Sequence, residues 1–200
     1  FQPGLNNYAY GWDVRKVPEG QPGAGATMIS HGGGINGFNT LLVRLTDTKD
    51  LVVLFNNTGG AKLGDISIAI RNILQGKPYQ KPKRSIAETF YKTATEKDMA
   101  SALRLYQELK KQQPDDYDFR EGELNGLGYY LLRNKRIKEA IEVFRLNAEA
   151  YPKSANVYDS LGEAYGEAGE YESAVKNYAR SLELNPKNAN AIDRLKKLSE

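Results

Sequence analysis

The 200-residue chain contains no cysteine and a single histidine, His31. The first absence removes disulfides, thiolate nucleophiles and cysteine-ligated zinc, and the second removes any two-histidine metal motif. Long hydrophobic runs are missing too. The apolar stretch 51–55 falls far short of the ~18 residues a membrane helix needs, so no membrane span is expected. Nor does one charge dominate: 28 Lys and Arg face 25 Asp and Glu, a net +3 without the electrostatic footprint of a nucleic-acid partner. Phe1 is not an initiator Met and no basic-then-apolar leader follows it, so the sequence reads as a piece of a longer protein. Neither metal nor cofactor is expected from this inventory.

What is present divides in two. Residues 1–80 carry most of the 19 glycines and read as strands and turns. Residues 8–14 are β-rich in composition, and 18–25, rich in Pro and Gly, read as an exposed loop. Residues 27–31 run as a strand into the triplet Gly32, Gly33, Gly34. Two β-propensity runs, 39–46 and 51–57, are joined by the four-residue connection 47–50. Apolar residues on both of their faces (Leu41, Leu42, Val43; Val52, Val53, Leu54) predict burial from both sides. From Leu63 the period becomes helical, with Leu63, Ile66, Ile70, Ile73 and Leu74 on one stripe that ends at Gly76 and Pro78. The expected class of this part is α+β, antiparallel strands with a covering helix.

Residues 81–200 are helical in pattern and repeat with a period of 34. Setting 155–188 beneath 121–154 aligns Leu124 with Tyr158, Leu127 with Leu161, Gly128 with Gly162 and Leu131 with Tyr165. Ala140 then meets Ala174, Phe144 meets Tyr178, and Pro152 meets Pro186. Small residues let two antiparallel helices approach, large ones fill the gaps, and Pro ends the second helix. The pattern resembles the tetratricopeptide repeat, which implies an all-α solenoid. A weaker copy spans about 83–116: Ala102, Tyr106 and Pro114 keep its second-helix pattern, while Thr89 and Phe90 stand where Leu and Gly are expected. The organisation read from the chain is therefore 1–80, a linker and degenerate helical hairpin over 81–120, repeats at 121–154 and 155–188, and a capping helix at 189–200. In that last helix Ile192, Leu195 and Leu198 are expected to face the stack.

Within residues 1–80, a strand bearing His31, Gly32 and Gly33 is followed by Gly34, Gly37 and Phe38, a hydrophobic hairpin and a helix. This order resembles the closing portion of serine hydrolases of the class C β-lactamase and penicillin-binding-protein type. The resemblance implies a partial serine-hydrolase fold, with His31, Gly32 and Gly33 lining a substrate and the Gly34 N–H as an oxyanion donor. It also implies a periplasmic or extracellular parent. The family's Ser-x-x-Lys nucleophile and Tyr-x-Asn relay are not matched at any suitable place. Ser173 and Lys176 have the first spacing but fall inside a repeat helix, and Ser154 with Asn156 falls at a repeat boundary. A serine needs an adjacent base to attack at neutral pH, so the chain by itself is expected to be inert.

Two readings of function follow. In one, the chain is a fragment of such a hydrolase, completed by an upstream segment and carrying a repeat module. In the other, it is a non-catalytic repeat scaffold for a protein or peptide, with a structural hydrolase-like remnant. By resemblance, the groove would be lined by Asn125, Tyr129 and Arg133 and by Asp159, Glu163 and Glu167. Asp159 and Glu163 put acid where a carboxylate-gripping groove wants Lys and Asn, so a chaperone-tail ligand is not expected. The apolar hairpin face, lacking enough helices to cover it, is expected to seek a cover, as a homodimer through residues 1–57 or on the repeats.

Overall fold

Alternation along the strands places every second side chain on one face, and that rule organises the first part of the molecule. The computed structural model describes residues 7–35, 37–57 and 62–198 and divides after Lys83 into two units. Phe1, and the residues at 36 and 199–200 within the segments considered above, lie outside the described residues. The first unit is an antiparallel meander of β1 (Tyr8–Ala9), β2 (Trp12–Lys16), β3 (Thr27–Ile35), β4 (Phe38–Leu45) and β5 (Leu51–Asn56), in that spatial order. Helix α1 (Leu63–Leu74) packs on β4 and β5. The register sets Ser30, Val43 and Val52 in one row and His31, Leu42 and Val53 in the next, on the opposite face. Val17, Ala26, Met28, Val43 and Leu45 form the buried cluster.

Several expectations need correction here. The hairpin is covered on one face only: Val43 and Val52 are buried, whereas Leu51, Val53 and Phe55 are 56%, 44% and 82% exposed. Apolar residues on both faces therefore do not mean two covered faces, because a single helix reaches one of them. The stripe expected on α1 is rotated. Leu63, Ser67, Ala69 and Arg71 are buried while Ile73 and Leu74 are exposed, because the Arg71 guanidinium turns inward and donates to the Pro22 carbonyl at 3.0 Å. Burial in turn lowers the Arg71 pKa from its ordinary value. The 18–25 loop is not wholly exposed either. Pro22 is buried, and a Cβ at Gly23 would stand 2.8 Å from Leu45 Cδ1. Residues 8–14 split into β1 and β2 around Tyr10 and Gly11, both at positive φ. The glycine triplet continues β3 as far as Ile35 rather than ending it.

The second unit consists of helix pairs: α2 (Ile86–Glu96) with α3 (Met99–Gln112), α4 (Glu121–Arg133) with α5 (Ile137–Ala150), and α6 (Ala155–Glu167) with α7 (Tyr171–Leu184), followed by α8 (Ala189–Leu198). Two starts are capped by side chains. Ser85 Oγ accepts from the Glu88 N–H, and Asp98 Oδ1 accepts from the Ser101 N–H. The weak copy thus forms both of its helices, with Phe90 buried at the place where glycine was expected. The insert 117–120 is not a plain loop. Its β7 (Tyr117–Asp118) pairs in parallel with β6 (Arg84–Ser85), and the Arg84 guanidinium lies 4.1 Å from the centre of the Tyr117 ring. In α8 the residue fully buried against Ala174 and Tyr178 is Ala191, with Leu195 and Leu198 packed beside it; Ile192, expected to face the stack, is 50% exposed.

Each repeat pair is closed at one point. A Cβ at Gly128 would meet the Phe144 ring at 2.5 Å, and one at Gly162 would meet the Tyr178 ring at 3.0 Å. The turn between the paired helices needs a left-handed residue, supplied by Gly169 at φ 76° in one copy and by Lys135 at φ 60° in the other. These two constraints predict opposite effects in thermal melts. Gly128→Ala is expected to lose about 2 kcal/mol, because the fully buried Phe144 ring cannot move aside. Lys135→Gly is expected to gain about 1 kcal/mol by relieving left-handed strain. An unchanged melting temperature in Gly128→Ala refutes the close approach.

Candidate functional site

The 34-residue period brings the third turns of successive first helices side by side, so that equal places on α4 and α6 meet. Tyr129 and Glu163 are such a pair. The Tyr129 hydroxyl donates to Glu163 Oε2 at 2.9 Å and lies 3.2 Å from Ser160 Oγ. Ser160 in turn donates to Asn125 Oδ1 at 2.9 Å. From α8, Asn190 Nδ2 donates to Asp159 Oδ2 at 2.9 Å and Arg194 stands 3.8 Å from Glu163 Oε1. At the start of α4, Asn156 Nδ2 donates to Glu121 Oε1 at 2.8 Å. The result is a polar ladder running from α4 through α6 to α8.

Of the six groove residues named from the sequence, the structure joins Asn125, Tyr129, Asp159 and Glu163 in this ladder. Arg133 and Glu167 remain exposed at the same place on α4 and α6, with no side-chain partner among the described residues. The sequence reading missed Ser160, Asn190 and Arg194. Asn156 and Asn190, exactly one period apart, offered a signal for the second. Beside the ladder, the Tyr91 ring meets Tyr130 edge-on at 5.4 Å and carries the Arg136 guanidinium 5.3 Å from its centre. Arg136 also grips Glu139 through two short hydrogen bonds, which lowers the Glu139 pKa.

On the first unit, His31 sits on the uncovered sheet face with its Nε2 3.1 Å from the Tyr8 hydroxyl and the Trp12 ring edge-on at 6.1 Å. Gly32, Gly33 and Gly34 are exposed beside it, and a Cβ at Gly33 would stand 2.8 Å from Thr40 Oγ1. Trp12, His31, Leu42, Val53 and Phe55 line a shallow cavity of about 400 Å³. The two decoy serines stay apart from any such chemistry. Ser173 lies within α7, its carbonyl accepting from Asn177, and Ser154 is the residue before α6. No group of three or more potential metal ligands occurs among the described residues, and no helix there is long and apolar enough to cross a membrane.

Comparison with known proteins bears on the helical unit. The tetratricopeptide repeat family model matches residues 155–188. Superkiller complex protein 3 of Homo sapiens is 34% identical over 65 residues, covering 32% of this chain, and its Mus musculus counterpart is 37% identical over 59 residues, covering 30%. The chain spans about 4% of the length of these curated relatives. Among solved structures, the first TPR of Spaghetti (RPAP3) bound to an HSP90 peptide is similar at 22% identity and a TM-score of 0.41, covering 58% of this chain and 94% of that one. MamA is similar at 26% identity and a TM-score of 0.39, covering 55% and 61%. The hydrolase-like reading of residues 1–80 rests on its motif and strand order alone.

Burial pushes the hydroxyls of Tyr106, Tyr129 and Tyr178 up to about 12 from an ordinary 10.0, with Glu163 adding to the effect at Tyr129. A proton held more tightly in the folded than in the unfolded chain stabilises fully below the unfolded pKa, and this contribution is lost as pH rises through the folded one. The helical unit is therefore expected to lose stability progressively between about pH 10 and pH 12, with these tyrosines ionising last. Near-ultraviolet absorbance and far-ultraviolet circular dichroism, followed together, check this. All 13 tyrosines ionising near pH 10 while the helices persist contradicts it.

Proposed function

We propose that the helical array is a protein-interaction module that binds an extended peptide segment along the face of α4, α6 and α8. One observation carries this reading. Arg133 and Glu167 occupy equivalent places on successive helices, exposed and unspent, while the ladder beside them holds the helices in fixed register. A pre-organised face with polar groups left over loses little entropy when a strand of peptide lies on it. The repeat match over residues 155–188 supports the same direction. Panning a random peptide library on the full chain is expected to enrich a shared motif whose affinity drops about tenfold or more in Arg133→Glu and in Glu167→Lys. No enrichment, or binding indifferent to both substitutions, overturns the reading.

A second reading is favoured by the surroundings of His31. In it, residues 1–80 descend from a β-lactamase-type serine hydrolase whose parent worked in the periplasm or outside the cell, and they keep its substrate-lining strand. What supports this is a histidine flanked by three bare glycines on an open sheet face, where a carbonyl substrate can lie against backbone. Titrating the chain with D-Ala-D-Ala dipeptide is expected to move the amide resonances of Gly32, Gly33 and Gly34 and the His31 ring signals. A spectrum that stays still at saturating dipeptide removes this second reading.

A further inference from the structure

The turns that join paired helices lie at matching places one repeat apart, and they are oppositely charged. Residues 133–138, between α4 and α5, include Arg133, Lys135, Arg136 and Lys138 and no acid. Residues 167–172, between α6 and α7, include Glu167, Glu170 and Glu172 and no cation. Arg136 is engaged by Glu139. Lys135, Lys138, Glu170 and Glu172 are exposed and make no side-chain hydrogen bond or ion pair among the described residues. Tyr171, between the two glutamates, is 60% exposed, and Val175 one turn on is 39% exposed. Two neighbouring turns of opposite sign that do not neutralise each other form an edge complementary to itself turned end for end.

We propose that this edge pairs with a second copy of the chain. About a two-fold axis midway between the turns, the basic turn of one protomer faces the acidic turn of its partner, and the same contact recurs on the other side. Such an isologous contact closes after two subunits. Tyr171 and Val175, exposed beside the acidic turn, add apolar contact, and the charges supply orientation and rate. Charge complementarity sets the commitment to a second copy: an unrelated partner needs only one sign, whereas this edge offers both at equal spacing. The contact does not depend on the peptide-binding reading, because none of these four charged residues belongs to the groove.

Sedimentation velocity of the full chain tests the proposal. A dimer is expected at about 50 mM salt, where exposed charges act over about 14 Å, and about a tenfold weaker dimer at about 0.5 M, where that reach falls to about 4 Å. Lys135→Glu with Lys138→Glu gives one edge that is largely acidic; Glu170→Lys with Glu172→Lys gives one that is basic. Each double variant is expected to be monomeric alone, and an equimolar mixture is expected to form a one-to-one heterodimer at low salt. Circular dichroism confirms that the helices persist, and Lys138→Glu and Glu172→Lys alone replace any pair that loses them. A wild-type chain that stays monomeric at low salt overturns the proposal. So does a dimer that survives both reversals, or a mixture that stays monomeric.

Discussion

The close approach of a glycine to an aromatic ring, repeated at Gly128 with Phe144 and at Gly162 with Tyr178, is the constraint on which the helical unit depends. It fixes how near the second helix of each pair lies to the first, and so fixes the angle at which the next pair begins. A second device repeats with it. Asn147 Nδ2 donates to the Glu121 carbonyl at 3.1 Å, and Ser181 Oγ donates to the Ala155 carbonyl at 2.8 Å, each binding the second helix to the start of the first. The ring closes the middle of the pair and the latch its open end, so the pair cannot pivot about either. In the weak copy both are gone: Phe90 replaces the glycine, and Leu109 stands at the latch place. The parallel pairing of β6 with β7 and the Ser85–Glu123 hydrogen bond at 2.6 Å hold that copy instead.

Fixed helix spacing has a chemical consequence on the face of the first helices. Places that are equivalent in sequence come within hydrogen-bond distance, and polar residues there satisfy one another before they meet any ligand. Burial of Tyr129 makes its hydroxyl a poor acid and a dependable donor to Glu163. The ladder thus serves as framework. What it does not use is Arg133 and Glu167 on the face and the exposed charges of the turns at the edge. The same repeat that rigidifies the array therefore also spaces its unspent charges at equal intervals.

The helical unit was legible in the sequence because its packing is local and periodic. A 34-residue self-match already names Gly128, Phe144, Ala174 and Tyr178 as contact residues. The insert 117–120 was not legible, since a two-residue strand carries no period and its partner at 84–85 lies 33 residues away. In the groove, four of six residues read from the sequence came together, but their partners Ser160 and Arg194 depend on a helix-to-helix register that one helix cannot reveal. In the first unit the strands were legible and the covering was not. Period two states which residues share a face, and Leu42, Val53 and His31 do share one, but it does not state which face a helix will reach.

That unequal covering follows from the chemistry of α1. An apolar helix would slide until Ile70, Ile73 and Leu74 lay over the sheet. Instead Arg71 is 3% exposed, bound to the Pro22 carbonyl, with its Nε and the neighbouring Ser67 Oγ lacking hydrogen-bond partners among the described residues. A buried guanidinium is tolerated only where something holds it, so the 17–26 segment, folded back on Leu45, serves as the socket. The position of α1 is thereby set by a polar contact at one end rather than by maximal apolar burial along its length. Ile73 and Leu74 stay in water as a result. The opposite sheet face keeps Val53, Phe55 and the surroundings of His31 open, so the part of the first unit with an accessible histidine is also its part with the least apolar cover. Local opening is cheapest where burial is least, and among the described strands of the sheet that is β1 and β2, where no side chain is buried, rather than β5, which keeps Val52 buried beneath α1.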